Sequence, residues 1–378
     1  MRSSKAEVKY PLVKVNRFGR EEIYCADAAV TGWGDNRNSY TNKFCSLLSE
    51  KLNAKRAILT SSFHGALHLV VKTLELGSQH EIIAPNLSWV GTVNPFVWHG
   101  CKIRFCDVRR DNSLGQTKSI ENLINRKTKA IIFVHNLGNV ADLKYLRNLC
   151  DEKDIWLIED CAPAFGGKVF NKSVGNQGHF GLFSFNATKI ITTGGEGGAV
   201  ICDNEHLMEK IRCISTQGRD LNSQFGYKIN KVGLKYNITN LQCAFGLAQL
   251  ENLDLILDRK KKIFDKYLNT FQVNSDFKML YSRNIGCSNT YWLPTVSFGK
   301  KINLNLLIEL LSQRGIDSRP FFTPLSDLGI YANNRFNTPN AIQLASNCLS
   351  MPSYVDLQDS EVEYIAKSVC EIAFTLIN

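Results

Sequence analysis

The feature that most constrains this chain is an alternation of short β-branched runs with amphipathic helical segments through its first half. EIIAP from Glu81, KIRFCDV from Lys102 and KAIIFVH from Lys129 have the length and residue types of buried strands. GALHLVVKTLELG from Gly65 has helical spacing of apolar residues and closes on a glycine. DLKYLRNLCDEKD from Asp142 is an amphipathic helix that leads into IWLIED. Strand, helix, strand in that order predicts βαβ units and a largely parallel sheet. Asp160 then stands at the carboxyl end of a strand, where open α/β sheets hold their ligands.

A long helical pattern, NLQCAFGLAQLENLDLILDRKKKIFDKYL, follows Thr239 and is expected to bridge out of this first unit. Beyond it lie a strand (YWLPTVSF), a helix (LNLLIELLSQRG), the segment IDSRPFFTPL and a last helix from Asp359. We expect a large α/β domain over residues 1–250 and a smaller C-terminal α+β domain over 251–378. A chain of 378 residues is long enough to give each its own core.

The net charge of +10 raises a nucleic-acid partner, but the basic residues are diffuse. Their densest cluster, DRKKKIFDKYL from Asp258, reads as the solvated face of a helix, so no nucleic acid is expected. The opening MRSSKAEVKYPLVKV lacks a signal-peptide core and no run of 18 apolar residues occurs, which predicts a cytoplasmic protein without a membrane partner. Twelve cysteines never form CxxC and read as buried free thiols, with no metal site expected.

The chemistry centres on SFNATKIITTGGEGG, Ser184 to Gly198, where Lys189 is set among small, hydroxylated and glycine residues. A lysine in a partly desolvated pocket loses proton affinity, and its neutral amine becomes a nucleophile toward an aldehyde. Pyridoxal 5′-phosphate (PLP) would need a carboxylate for its ring nitrogen, an aromatic face and phosphate donors. Asp160 offers the first and Trp89, in APNLSWVGT, the second. Ser184 with nearby hydroxyls and glycine amides offers the third. Alternation sends only one of Glu159 and Asp160 to a given face, leaving Glu159 a structural role.

These blocks, in order with TGWGDN, SSFHGALHL, DVRRDNSLG, VHNLGNVADL, IEDCAPAFGG, STQGRD, GLKYNITNLQCAFGLAQL, GIDSRPFFTPL and LSMPSY, resemble the DegT/DnrJ/EryC1/StrS family of PLP-dependent nucleotide-sugar aminotransferases over nearly the whole chain. The resemblance implies an aspartate-aminotransferase-like fold of type I. It implies that Lys189 binds the cofactor as an imine and is the catalytic residue, that Asp160 pairs with the pyridinium nitrogen, that Trp89 stacks on the ring and that Ser184 binds phosphate. His64 and Gly65 occupy the phosphate-binding turn, and Arg319 and Phe322 fall at positions expected to contact substrate; His135 matches a histidine near the cofactor and substrate, with a hydrogen-bonded core histidine as the equal alternative. Asn237 matches a position that reaches the neighbouring subunit's phosphate, implying a homodimer with shared sites. L-glutamate is the implied donor. Likeness of GIDSRPFFTPL and LSMPSY to perosamine-synthase-like members implies a nucleotide-linked 4-keto-6-deoxyhexose as acceptor.

The sequence departs from the family in three places. Phe63 and His64 replace the usual Gly-Thr or Cys-Thr, the run after Asp160 is Cys161, Ala162, Pro163, and Pro324, Leu325, Ser326 stands for Pro-Leu-His. A sugar 3-dehydratase branch carries histidine at the imine position, which Lys189 argues against although HNLGN is reminiscent of it. A non-catalytic regulatory member of the same fold is the other alternative.

Overall fold

A computed structural model describes residues 7–220, 223, 228–331 and 336–377. Seven strands form the main sheet: β1 (Ala57–Thr60), β2 (Glu81–Pro85), β3 (Lys102–Cys106), β4 (Thr128–Val134), β5 (Trp156–Asp160), β8 (Phe180–Ser184) and β9 (Gly198–Ile201). The short strands β6 (Lys168–Val169) and β7 (Lys172–Ser173) join β11 (Cys287–Ser288) in a small separate sheet. Spatial order in the main sheet is β1-β9-β8-β5-β4-β2-β3, and only β9 runs against its neighbours. The predicted α/β class with a mostly parallel sheet is what is found.

Side-chain alternation sorts each strand between two faces. Ile82, Ala84, Ala130, Ile132, Ile158, Leu182 and Val200 pack with the helices Phe63–Thr73 and Glu205–Ser215. Their neighbours Ile83, Ile131, Phe133 and Leu157 face the opposite way, toward the helices Thr117–Leu123 and Lys144–Glu152. Each face is fully buried, which is why the strands read as continuous apolar runs. The helix Phe63–Thr73 begins where the chain leaves β1, and Ser62 caps it by accepting the Gly65 N–H at 3.0 Å.

The helical pattern after Thr239 is two helices. Asn240–Glu251 starts with a capping box of Thr239 and Gln242, and Leu253–Phe271 follows after a break at Asn252. The second helix leaves one core and enters another. Leu253 and Ile256 pack with the main sheet, whereas Ile263, Phe264, Tyr267 and Phe271 pack with the helices Leu304–Gln313 and Asp359–Leu376. Beneath these lie β10 (Phe277–Met279), β12 (Thr295–Phe298), β14 (Cys348–Ser350) and β13 (Arg319–Pro320), antiparallel in that spatial order. Tyr10 near the N-terminus belongs to this second core, while Leu325 and Tyr331 pack back on the first.

One expectation about the bridging helix needs correction. DRKKKIFDKYL is not uniformly solvated, because Lys260 is only 4% exposed. Helical spacing puts it on the face carrying Ile256, Ile263 and Tyr267, and no sequence signal distinguishes it from Lys261 and Lys262. The twelve cysteines are all free thiols, and Cys101, Cys106, Cys150, Cys161, Cys243 and Cys348 are buried. Among the described residues no helix is long and apolar enough to cross a membrane.

Candidate active site

At the carboxyl ends of β4, β5 and β8, a cavity of about 480 Å³ opens between the two cores. It gathers Lys189, Asp160, Ser184, Trp89 and His64 from the first half of the chain, and Arg319 and Phe322 from the second. The cavity is thus built from segments more than 200 residues apart in sequence.

Asp160 ends β5 on the face shared with the helix Phe63–Thr73. Thr92 Oγ1 donates to its Oδ2 at 2.8 Å, and the Ala162 N–H to its Oδ1 at 3.0 Å. Burial raises its pKa above the usual carboxylate value, opposed by these two bonds and by the charge of Lys189. Each oxygen retains accepting capacity, so the carboxylate suits a buried cationic partner at the cavity floor.

Lys189 sits in the loop joining β8 to β9. Asn186 organises this loop: its Oδ1 accepts from the Thr188 N–H and hydroxyl, and its Nδ2 donates to Glu196 at 2.7 Å. Gly194 and Gly195 turn the chain with φ of 82° and 127°, a region that L-residues rarely occupy. Lys189 Nζ lies 3.9 Å from the ring centroid of Trp292, whose Nε1 donates to the Thr188 carbonyl at 2.6 Å. Burial lowers the amine to about 8 against the pull of Asp160 and Glu196. A useful fraction of neutral amine is therefore present near neutral pH, as nucleophilic and proton-transfer roles require.

Ser184 is buried at the end of β8 and faces the cavity. The first turn of the helix Phe63–Thr73 opens onto the same space through Ser62, Phe63 and His64. That turn leaves N–H groups of Phe63 and His64 without intrahelical acceptors, a setting for an anion. Gly65 does not line the cavity. It lies under the Tyr236 ring, and its N–H is already used by the Ser62 cap. His64 Nε2 is buried without a hydrogen-bond partner among the described residues.

Trp89 is 66% exposed at the mouth, with its ring 6.2 Å from that of Phe322. Arg319 lies nearby on β13, exposed and in no ion pair among the described residues. Asn237 is exposed and does not line the cavity of its own chain.

Of the two readings of His135, the geometry fits the core histidine. Alternation that turns Val134 toward the cavity turns His135 to the back of the sheet, where its Nε2 meets Glu159 Oε2 at 3.0 Å. It is fully buried and does not line the cavity. Glu159 also accepts the N–H groups of Gly175, Gln177 and Gly178, so all its lone pairs are used. Burial would raise its pKa, but the His135 and backbone hydrogen bonds win and hold it below the ordinary value. Glu159, His135 and Cys161 come close enough to hold a metal ion, yet a carboxylate with no free lone pair is a poor ligand.

The family departures find places too. Pro163 lines the cavity and its carbonyl accepts from Thr290 Oγ1 at 3.1 Å. Ser326, where histidine is usual, holds Asn86 through both its N–H and its hydroxyl. Sequence reasoning missed Thr92, Glu196 and Trp292. Thr92 lies three residues after Trp89 in a quoted block, whereas nothing around Trp292 separates it from a strand tryptophan.

The match to the DegT/DnrJ/EryC1/StrS aminotransferase family model spans residues 19–370. The chain belongs to this family. It is therefore a PLP-dependent aminotransferase of fold type I. It is 31% identical over 363 residues to a GDP-perosamine synthase of Vibrio cholerae, covering 95% of this chain and 98% of that protein. A GDP-perosamine synthase of Escherichia coli O157:H7 is 31% identical over 369 residues, covering 96% and 99%. Among solved structures, the PLP form of the sugar aminotransferase candidate Spr1654 from Streptococcus pneumoniae superposes with a TM-score of 0.89 at 25% identity, covering 97% and 99%.

Proposed function

We propose that the protein moves an amino group from L-glutamate to the C4 carbon of a nucleotide-linked 4-keto-6-deoxyhexose, yielding a 4-amino sugar for glycan assembly. The observation that carries this reading is the single cavity in which Lys189, lowered to about 8, and the under-saturated carboxylate of Asp160 are both wall residues. Likeness to the two GDP-perosamine synthases supports the acceptor class. When bound, PLP supplies an electron sink for the pair released at the substrate carbon.

The chain's residues divide the remaining work. Asp160, held by Thr92 and Ala162, would face the ring nitrogen with its carboxylate and so favour the protonated form. Lys189 would hold the cofactor through its neutral amine and, once free, would carry a proton to and from the reacting carbon. It approaches from one wall only, so proton delivery is one-sided and a single C4 epimer is expected. Ser184 and the first turn after Ser62 receive the phosphate. Trp89 would cover the ring face, and with Phe322 it narrows the mouth. Arg319 meets the donor carboxylate or the diphosphate.

The working unit in this reading is a cytoplasmic homodimer in which Asn237 completes the partner's phosphate site. The exposure of Asn237 outside its own cavity supports that assignment. The large exposed rings of Trp33 and Trp98 also favour a partner surface.

Mass spectrometry of products formed from glutamate and a panel of nucleotide-linked 4-keto and 3-keto sugars tests the function. A 4-amino product with 2-oxoglutarate is the expected result. Amination of 3-keto sugars alone overturns the regiochemistry, and loss of the 3-hydroxyl without amination overturns the transferase reading.

A further inference from the structure

Lys260 stands out among residues that the proposed chemistry does not use. A buried ammonium is an expensive way to fill a helix face, and apolar residues of similar volume stabilise a core as well or better. Its surroundings are specific. Nζ donates to the Trp292 carbonyl at 3.1 Å, to the Ser353 hydroxyl at 3.1 Å and to the Ser353 carbonyl. Three acceptors meet the three N–H groups of an ammonium, and they come from two segments distant in sequence. Among the described residues no charged group opposes burial here, which lowers the amine to about 7.

Both segments lead to the cavity. The Ser353 N–H donates to the carbonyl of Leu12, a cavity residue, at 3.0 Å. Trp292 is buried, and its indole touches the Lys189 loop twice: through Nε1 to the Thr188 carbonyl and through the ring beneath Lys189 Nζ. Lys260 thus grips the main chain of the residue whose side chain supports the reacting amine. The adjacent Tyr291 has φ of 52°, an unfavourable value for a tyrosine that the surrounding contacts must hold.

We propose that Lys260 is a positioning residue for Lys189, acting through Trp292. From the helix that joins the two cores it fixes the Trp292 main chain, and the indole then fixes both the height of the Lys189 loop and the dryness of the wall beneath Nζ. The inference rests on Lys189 being the residue that binds PLP.

The test is the pH midpoint of Lys189 modification by reductive methylation in the full-length protein freed of cofactor, read by peptide mapping. The wild-type midpoint is expected near 8. In Lys260→Met, loosening of Trp292 admits water under Nζ and moves the midpoint up by about 0.5 unit or more. Trp292→Phe keeps a ring but loses the Nε1 donor, and should move it in the same direction. The double variant should shift no further than the larger single shift, since both act along one route. A Lys260→Met variant that melts lower with an unmoved midpoint shows a merely structural lysine and overturns the proposal. So do shifts that add in the double variant, and so does an unmoved midpoint in Trp292→Phe. Should Lys260→Met fail to fold, Lys260→Gln is read by the same criteria. Borohydride reduction with PLP bound is the separate check on the parent reading: label on another lysine defeats that reading whatever the midpoints do.

Discussion

The two faces of β5 carry adjacent carboxylates in equal burial and opposite states. Behind the sheet Glu159 accepts four hydrogen bonds, one of them from His135, and its pKa is lowered. In front Asp160 accepts two, and its pKa is raised. Burial pushes both upward, so the number of donors decides the outcome. A carboxylate whose lone pairs are all taken is a structural pin. One that is buried yet under-satisfied keeps capacity for a ligand, and the same contrast separates Lys260, with three acceptors, from Lys189, which rests on a ring.

Front-face changes should therefore remove activity while back-face changes remove stability. The largest effect is expected for Lys189→Ala, which should cut turnover by roughly 10⁴-fold or more and abolish borohydride labelling while leaving the melting temperature nearly unchanged. Asp160→Asn should follow, with turnover down by about 10³-fold, because a neutral amide cannot hold the ring nitrogen protonated. Glu159→Gln is its counterpart: it breaks a buried hydrogen-bonded pair, so denaturant unfolding should report a loss on the order of 3 kcal/mol. Near-normal turnover in Asp160→Asn, or unchanged stability in Glu159→Gln, would erase the distinction. Arg319→Ala should raise KM for an anionic substrate by about tenfold with a smaller change in kcat, measured by steady-state kinetics.

The smallest effect is one of pH, and its sign differs between the faces. Glu159 has a folded pKa below its unfolded value of 4.5, so its stabilisation is present above pH 4.5 and is lost as pH falls through the folded value. Asp160 has a folded pKa above 3.8, so the folded state binds the extra proton and acidification through that window favours folding. In cofactor-free protein, Glu159→Gln should flatten the acid limb of the stability curve and Asp160→Asn should steepen it. Melting temperatures measured from pH 6 down to about pH 3 check both slopes.

Much of this was legible in the chain itself. Strand-length β-branched runs between helical repeats predict the parallel sheet because each run must bury both faces, and β2, β4 and β5 do so. The placement of Lys189 and Asp160 was legible as well, since a lysine among small residues after a strand and an acid at a strand end are local signals. Alternation even predicted that Glu159 and Asp160 would part. The same rule applied two residues beyond Phe133 sends His135 to the back and decides between the two readings that the resemblance in VHNLG leaves open.

What the sequence determined by itself is the period of each element and therefore which face each residue takes, because these follow from backbone geometry within a few residues. Only the tertiary structure decided which hydrogen-bonding groups meet across faces. Trp292 reaches Thr188 across 104 residues of chain, and Lys260 reaches Ser353 across 93. Such contacts leave no local period, since they depend on how two cores pack about the break at Asn252 and on how many donors remain for each buried charge.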